Sequence, residues 1–189
     1  MSQTAIKILD KAQELVQKRG FNAFSYADLS KEIGIKTASI HYHFPSKIDL
    51  GVMLIDRYRR VFIEKLNEVN FDESNPVEKI RQYIKLYNDT LINDRMCLCG
   101  MMASDGATLP KKMQKSIKEF FIENEKWLAK VFKEGKGKNL FNFIGSEKQQ
   151  SQAFLSGLQG ALLISRVVNN ENKFKKITNV LLENLVEEK

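Results

Sequence analysis

Within the twelve positions from 36 to 47 the chain places Lys36, Thr37, Ser39, His41, Tyr42, His43 and Lys47. Hydroxyls, imidazoles and a phenol can each donate or accept at a base edge or a phosphate, so this set suits contact with a nucleic-acid groove. The plainer alternative is two surface histidines beside a packing tyrosine. A second constellation is Met96-Cys97-Leu98-Cys99-Gly100. Two thiols one residue apart, at an expected helix start and beside Arg95, are placed for lowered pKa values, because a helix N-terminus favours thiolate. They read either as thiols open to electrophiles or oxidants, or as small buried core residues.

Other chemistries lack their residues. There is no Gly-rich phosphate loop, zinc-protease motif or nucleophile elbow. Cys97 and Cys99 have no further Cys or His nearby, and both histidines belong to the 36–47 segment. No catalytic site, metal site or cofactor is therefore expected. Two cysteines are too few for a disulfide framework. The N-terminal MSQTAIKILDKAQEL carries no signal-peptide apolar run, and no stretch approaches the ~18 apolar residues of a membrane span, so a cytoplasmic protein without a membrane partner is expected. The net charge of +7 is compatible with a polyanionic partner. Residues 1–47 hold seven Lys/Arg against four Asp/Glu, a denser positive balance than in the rest of the chain.

Positioning these groups is the work of helices. Ala5, Ile8, Leu9, Ala12, Leu15 and Val16 recur at spacings of three and four, and Gly20 stops that helix after Lys18 and Arg19. Ser25-Tyr26-Ala27-Asp28 is a capping box for a short helix from Tyr26 to Ile33, which ends at Gly34. A second short helix runs from Thr37 to His43 and is broken by Pro45. Ser46–Asp49 then caps a long helix from Lys47 to about Val69. Phe21, Phe24, Leu29, Ile33, Ile35, Ile40 and Phe44 form the expected small core. Further helices are expected from the Val77–Leu91 stripe, around Cys99–Ala107, after Pro110, from Ser146 to about Val168, and from Lys173 to Glu187, with Gly135–Lys138 as a loop. The chain is all-α with about nine helices.

Two short helices joined by a Gly-containing turn beside a longer one make a helix-turn-helix. The string LSKEIGIKTASIHYHFPSKIDLG resembles that of the tetracycline-repressor (TetR) family of bacterial transcription regulators, through Gly34, the aromatic-rich His41-Tyr42-His43-Phe44 and Ser46-Lys47. The resemblance implies an N-terminal three-helix DNA-binding domain over residues 1–47. It also implies a C-terminal helical effector-binding and dimerisation domain over 48–189. Thr37, Ala38 and Ser39 then open the recognition helix, and Ala38 is suited to pack on a thymine methyl. Tyr26 and Lys47 match phosphate-contact positions. His41 stands where many members have tyrosine and Tyr42 where many have histidine, which leaves open which of them touches a base.

The helix around Ala153–Leu162 is apolar nearly all round, with small residues at Gly157, Gly160 and Ala161. Such a helix needs burial on two sides. Phe154, Gly157, Leu158, Ala161 and Leu162, with Leu181 and Leu185 of the last helix, are the expected dimer contacts; an intramolecular core helix is the other reading. Tyr83, Tyr87, Met101, Phe121 and Trp127 are candidates to line an apolar effector pocket, or simply core. RMCLCGMMASDGATLP resembles a TetR branch that includes repressors of electrophile-detoxifying reductases, some sensing through a cysteine in this region, and Cys97 is the closer positional match.

The expected function is a homodimeric repressor on a palindromic double-stranded DNA operator, released by a small molecule or reactive electrophile. The rivals are a small all-α ligand carrier or enzyme with merely structural N-terminal helices, and a protein-binding adaptor.

Overall fold

The computed structural model describes residues 1–186 and contains, among them, nine helices. These are α1 (Gln3–Arg19), α2 (Tyr26–Ile33), α3 (Thr37–His43), α4 (Lys47–Asp72), α5 (Pro76–Ile92), α6 (Leu98–Ser104), α7 (Lys111–Gly137), α8 (Glu147–Val167) and α9 (Glu171–Glu183). One isolated antiparallel bridge joins Phe141 and Val186. The chain divides into two compact units. The first comprises Met1–Val61 and Cys97–Phe120; the second comprises Phe62–Met96 and the chain from Phe121 onward. No helix among the described residues is long and apolar enough to cross a membrane.

In the first unit α1 packs against α2, α3 and α6. Its buried face is the expected one: Ala5, Ile8, Leu9, Ala12, Leu15 and Val16. Phe21, Phe24, Leu29, Ile40 and Phe44 complete the core of the short helices, while Ile33 and Ile35 are half-buried. Each fully buried side chain of this size stabilises by roughly 1.5–3 kcal/mol. Gly51 on α4 is required by close approach, since a Cβ there would lie 2.6 Å from the Met113 methyl and 2.9 Å from the Phe21 ring.

In the second unit α5 packs against α8 and α9, and α8 lies along α9. Three boundaries differ from expectation. The helix α4 runs on to Asp72, past the expected end near Val69. The helix α7 continues through Gly135 to Gly137 instead of ending in a loop. Tertiary packing overrides propensity there: the Phe141 ring sits where a Cβ of residue 135 would be, 2.0 Å from that position, so glycine admits the ring without interrupting the helix. The last helix starts at Glu171, capped by Asn170, and ends at Glu183; Glu187, where it was expected to end, lies outside the described residues.

Candidate functional site

The helix-turn-helix is built by local hydrogen bonds. The Ser25 hydroxyl accepts from the Asp28 N–H at 3.2 Å, and the Asp28 carboxylate accepts from the Ser25 N–H at 2.7 Å. These two bonds fix the start of α2; the Ser25 hydroxyl, donating to the Asp28 carboxylate at 2.6 Å, and the Ser25 N–H together hold that carboxyl below its usual range. Gly34 closes α2 in the left-handed region, φ 76° and ψ 33°, a conformation that costs a residue with a Cβ. The Ser30 hydroxyl reaches across the turn to the Ile35 carbonyl. No side chain caps α3, whose first turn is closed by the Ser39 N–H donating to the Lys36 carbonyl at 2.9 Å.

Ile40 and Phe44 bury one side of α3, which turns the other side outward. Lys36, Ala38, His41 and Tyr42 are exposed, while Thr37, Ser39 and His43 are half-exposed. Tyr42 projects furthest, with 83% of its surface accessible and its ring against His43 at 5.1 Å. His41 is held instead: its ring meets Tyr26 edge-on at 4.8 Å, and its Nδ1 lies 3.3 Å from the Pro45 carbonyl.

Two residues expected at the phosphate backbone are engaged inside the unit. Tyr26 is 9% exposed, and its hydroxyl donates to the Phe44 carbonyl at 2.9 Å. Burial, reinforced by the charge of Asp49, pushes its hydroxyl up to about 12. Lys47 places its ammonium over the rings of Phe24 at 4.5 Å and Phe21 at 4.8 Å, and donates to the Phe24 carbonyl. Burial lowers its pKa. Both residues position α3 and the start of α4 from within.

The two cysteines are buried, Cys97 at the N-cap of α6 and Cys99 as its second residue. Burial pushes the Cys99 thiol well up, against the lowering expected at a helix start. Desolvation outweighs the attraction of Arg59, whose guanidinium is also paired with Glu119 at 2.6 Å. Tyr58, absent from the sequence reading, hydrogen-bonds to the Cys97 side chain, and its own hydroxyl is pushed up mainly by burial and also by both thiols. Met101 is half-buried in this unit and reaches toward Gly20.

The other proposed effector residues belong to the second unit. Tyr83 and Tyr87 are buried with their hydroxyls 3.2 Å apart; Tyr83 also donates to Asn124 Oδ1 at 2.8 Å and stacks on Trp127 at 5.3 Å. Phe121 is half-buried. The Trp127 indole N–H is buried without a hydrogen-bond acceptor among the described residues, an arrangement that costs about 1–3 kcal/mol until an acceptor arrives. Asn124 joins this cluster unanticipated, since a lone Asn in a helical stripe carries no signal of its partner.

The α8 residues expected at a dimer interface fall on the inner face. Phe154, Leu158, Ala161, Leu162 and Leu185 of the last turn are all buried within the chain, and Gly157 receives Leu181 at 3.2 Å from the site of a Cβ. The outward stripe of α8 carries Gly160, Leu163, Ile164 and Val167, at 53%, 47% and 79% exposure for the last three. Val180 of α9 is also 53% exposed. The i, i+3, i+4, i+7 spacing of this second stripe was present in the sequence; which stripe faces the chain's own core was not.

The family model "Bacterial regulatory proteins, tetR family" matches residues 8–51, the segment holding most of α1, all of α2 and α3, and the start of α4. Among solved structures, a TetR-family transcriptional regulator from Agrobacterium tumefaciens is 31% identical with a TM-score of 0.94, each chain covered over 97%. Among curated proteins, the nucleoid occlusion factor SlmA of Vibrio campbellii is 24% identical over 170 residues, 89% of this chain and 85% of that one. The HTH-type transcriptional repressor NemR of Escherichia coli K12 is 22% identical over 185 residues, 92% of each.

Proposed function

This chain belongs to the TetR family of bacterial regulatory proteins, and from that premise we propose that it is a repressor. It binds a palindromic operator as a homodimer and is released by a small molecule or reactive electrophile. The observation that carries the reading is the asymmetry of α3, anchored through Ile40 and Phe44 while Tyr42 stands 83% exposed beside a row of polar side chains. A rigid helix with one polar outward face is what major-groove reading requires.

In this account Thr37, Ala38, Ser39, Tyr42 and His43 approach base edges, with Lys36 and His41 nearer the phosphates. Residues 1–47 act as the reading part, and 48–189 as the effector-binding and dimerisation part. The E. coli relative named as a repressor supports the direction of regulation. The exposed stripe Gly160, Leu163, Ile164 and Val167 on α8, with Val180 on α9, supports pairing with a second copy, because apolar stripes of this kind seek burial. Two-fold pairing would bring two copies of α3 onto successive major grooves, which requires about 34–36 Å between them.

For release, the effector must bind one dimer conformation better than the other. The buried Trp127 N–H without an acceptor among the described residues, beside Tyr83 and Asn124, supports ligand entry into the aromatic interior. A reactive electrophile would act at Cys97, whose burial demands a local opening first. The helix α4, shared by both compact units, is the lever. Nothing in this mechanism uses a catalytic group.

Selection from a pool of random duplex DNA, followed by sequencing, tests the reading. A repressor enriches a pseudo-palindrome. A ligand carrier, an enzyme or a protein adaptor with structural N-terminal helices enriches nothing.

A further inference from the structure

We propose that the groove between α5 and α9 is a binding site for a small amphipathic carboxylate, separate from both the reading helix and the aromatic interior. The groove encloses about 220 Å³. From α5 it receives Arg81, Lys85 and Asn88, spaced so that they share a helix face different from that of Tyr83 and Tyr87. From α9 it receives Phe174, Lys175 and Leu182.

Three cations thus line one groove whose described lining contains no carboxylate. Arg81 is partly offset by Glu78 at 3.6 Å, from outside the lining. The ammonium groups of Lys85 and Lys175 have no ion pair or hydrogen bond among the described residues. Like charges set around apolar walls focus a positive potential into the space between them. Ile84, half-buried, supplies the accessible apolar wall, with Phe174 and Leu182 buried behind it.

These features specify an occupant by its parts. A negative head answers the three cations, and an apolar body covers Ile84. The volume lies below the roughly 300–1,000 Å³ of drug-sized pockets, which limits the body to one ring or a short chain. Inorganic phosphate matches the head alone, and a neutral amide matches the body alone.

Calorimetric titration of the full chain tests the site, with benzoate as the probe and benzamide and inorganic phosphate as the two partial matches. The expected result is saturable binding of one benzoate per chain, at least tenfold tighter than either partial match. Binding should weaken at least threefold in Lys85→Gln and in Lys175→Gln, and disappear in the variant carrying both with Arg81→Gln. All three side chains are exposed, and unchanged melting of the unliganded variants verifies their folding. Should the triple variant melt early, the single variants carry the test alone. Benzamide binding as tightly as benzoate, equal phosphate binding, wild-type affinity in both single lysine variants, or no saturable heat would each overturn the proposal. DNA binding by the unliganded variants is expected at wild-type strength, so a failed titration leaves the operator reading untouched.

Discussion

The Tyr26 hydroxyl donates to the Phe44 carbonyl at 2.9 Å, tying the first residue of α2 to the residue that caps α3. The orientation of the reading helix therefore depends on a buried side chain in the helix before it. His41 adds its ring to the same contact.

Replacing Tyr26 with Phe removes that donor and leaves a buried carbonyl unmet. The expected loss is about 1–2 kcal/mol in urea denaturation. The pH dependence has a definite sign. The folded pKa of about 12 lies above the ordinary 10.0, so the contribution is fully present below pH ~10 and is lost as pH rises toward 12. Melting temperatures between pH 9 and 12 should fall less steeply in Tyr26→Phe than in the wild type (a pH range set by the ordinary tyrosine value of about 10).

Tyr42→Ala should leave stability within about 0.5 kcal/mol, because the side chain is 83% exposed. Operator affinity should fall by about 1–3 kcal/mol, read by fluorescence anisotropy. In Lys36→Ala the loss should be smaller and independent of operator sequence, and the salt slope should drop by about 0.9.

Lys47 behaves differently from Lys36. Its ammonium is spent on the Phe21 and Phe24 rings and the Phe24 carbonyl. Lys47→Ala should cost about 1–2 kcal/mol of stability. Its salt slope for DNA binding should match the wild type, and a slope reduced as in Lys36→Ala would return Lys47 to the phosphate backbone.

Helix limits in the first 50 residues were legible because they are set locally: Ser25 with Asp28, Gly34, and Pro45 each mark a boundary without help from distant residues. Gly135 was misread as a loop because its reason lies six residues on, in the ring of Phe141. The side-chain roles were less legible still. Tyr26 and Lys47 have types that suit phosphate, and only the packing reveals that Phe44, Phe21 and Phe24 occupy them first. In the same way α8 is apolar on two faces, and the sequence does not say that Leu158 and Leu162 face inward while Leu163 and Val167 face out.

That distinction predicts two kinds of variant on one helix. Val167→Glu should dissociate the dimer in sedimentation at micromolar concentration with the chain still folded. Leu158→Ala should instead destabilise the chain by about 2–5 kcal/mol through a core cavity. A monomeric wild type would remove the dimer from the account.

Cys97 and Cys99 are both buried, and the raised Cys99 pKa disfavours its thiolate. Both thiols should react with a disulfide reagent at least tenfold more slowly in native protein than in urea. Release from DNA by a quinone should vanish in Cys97→Ser; persistence there would end the case for this thiol as the sensor.

The central claim is that α3 reads sequence, and the direct measurement is anisotropy on the duplex enriched by selection against a scrambled duplex of equal length, at one fixed salt concentration. The account predicts binding to the enriched duplex at least ~10³-fold tighter, with most of that preference lost in Tyr42→Ala. Equal affinity for the two duplexes would contradict it.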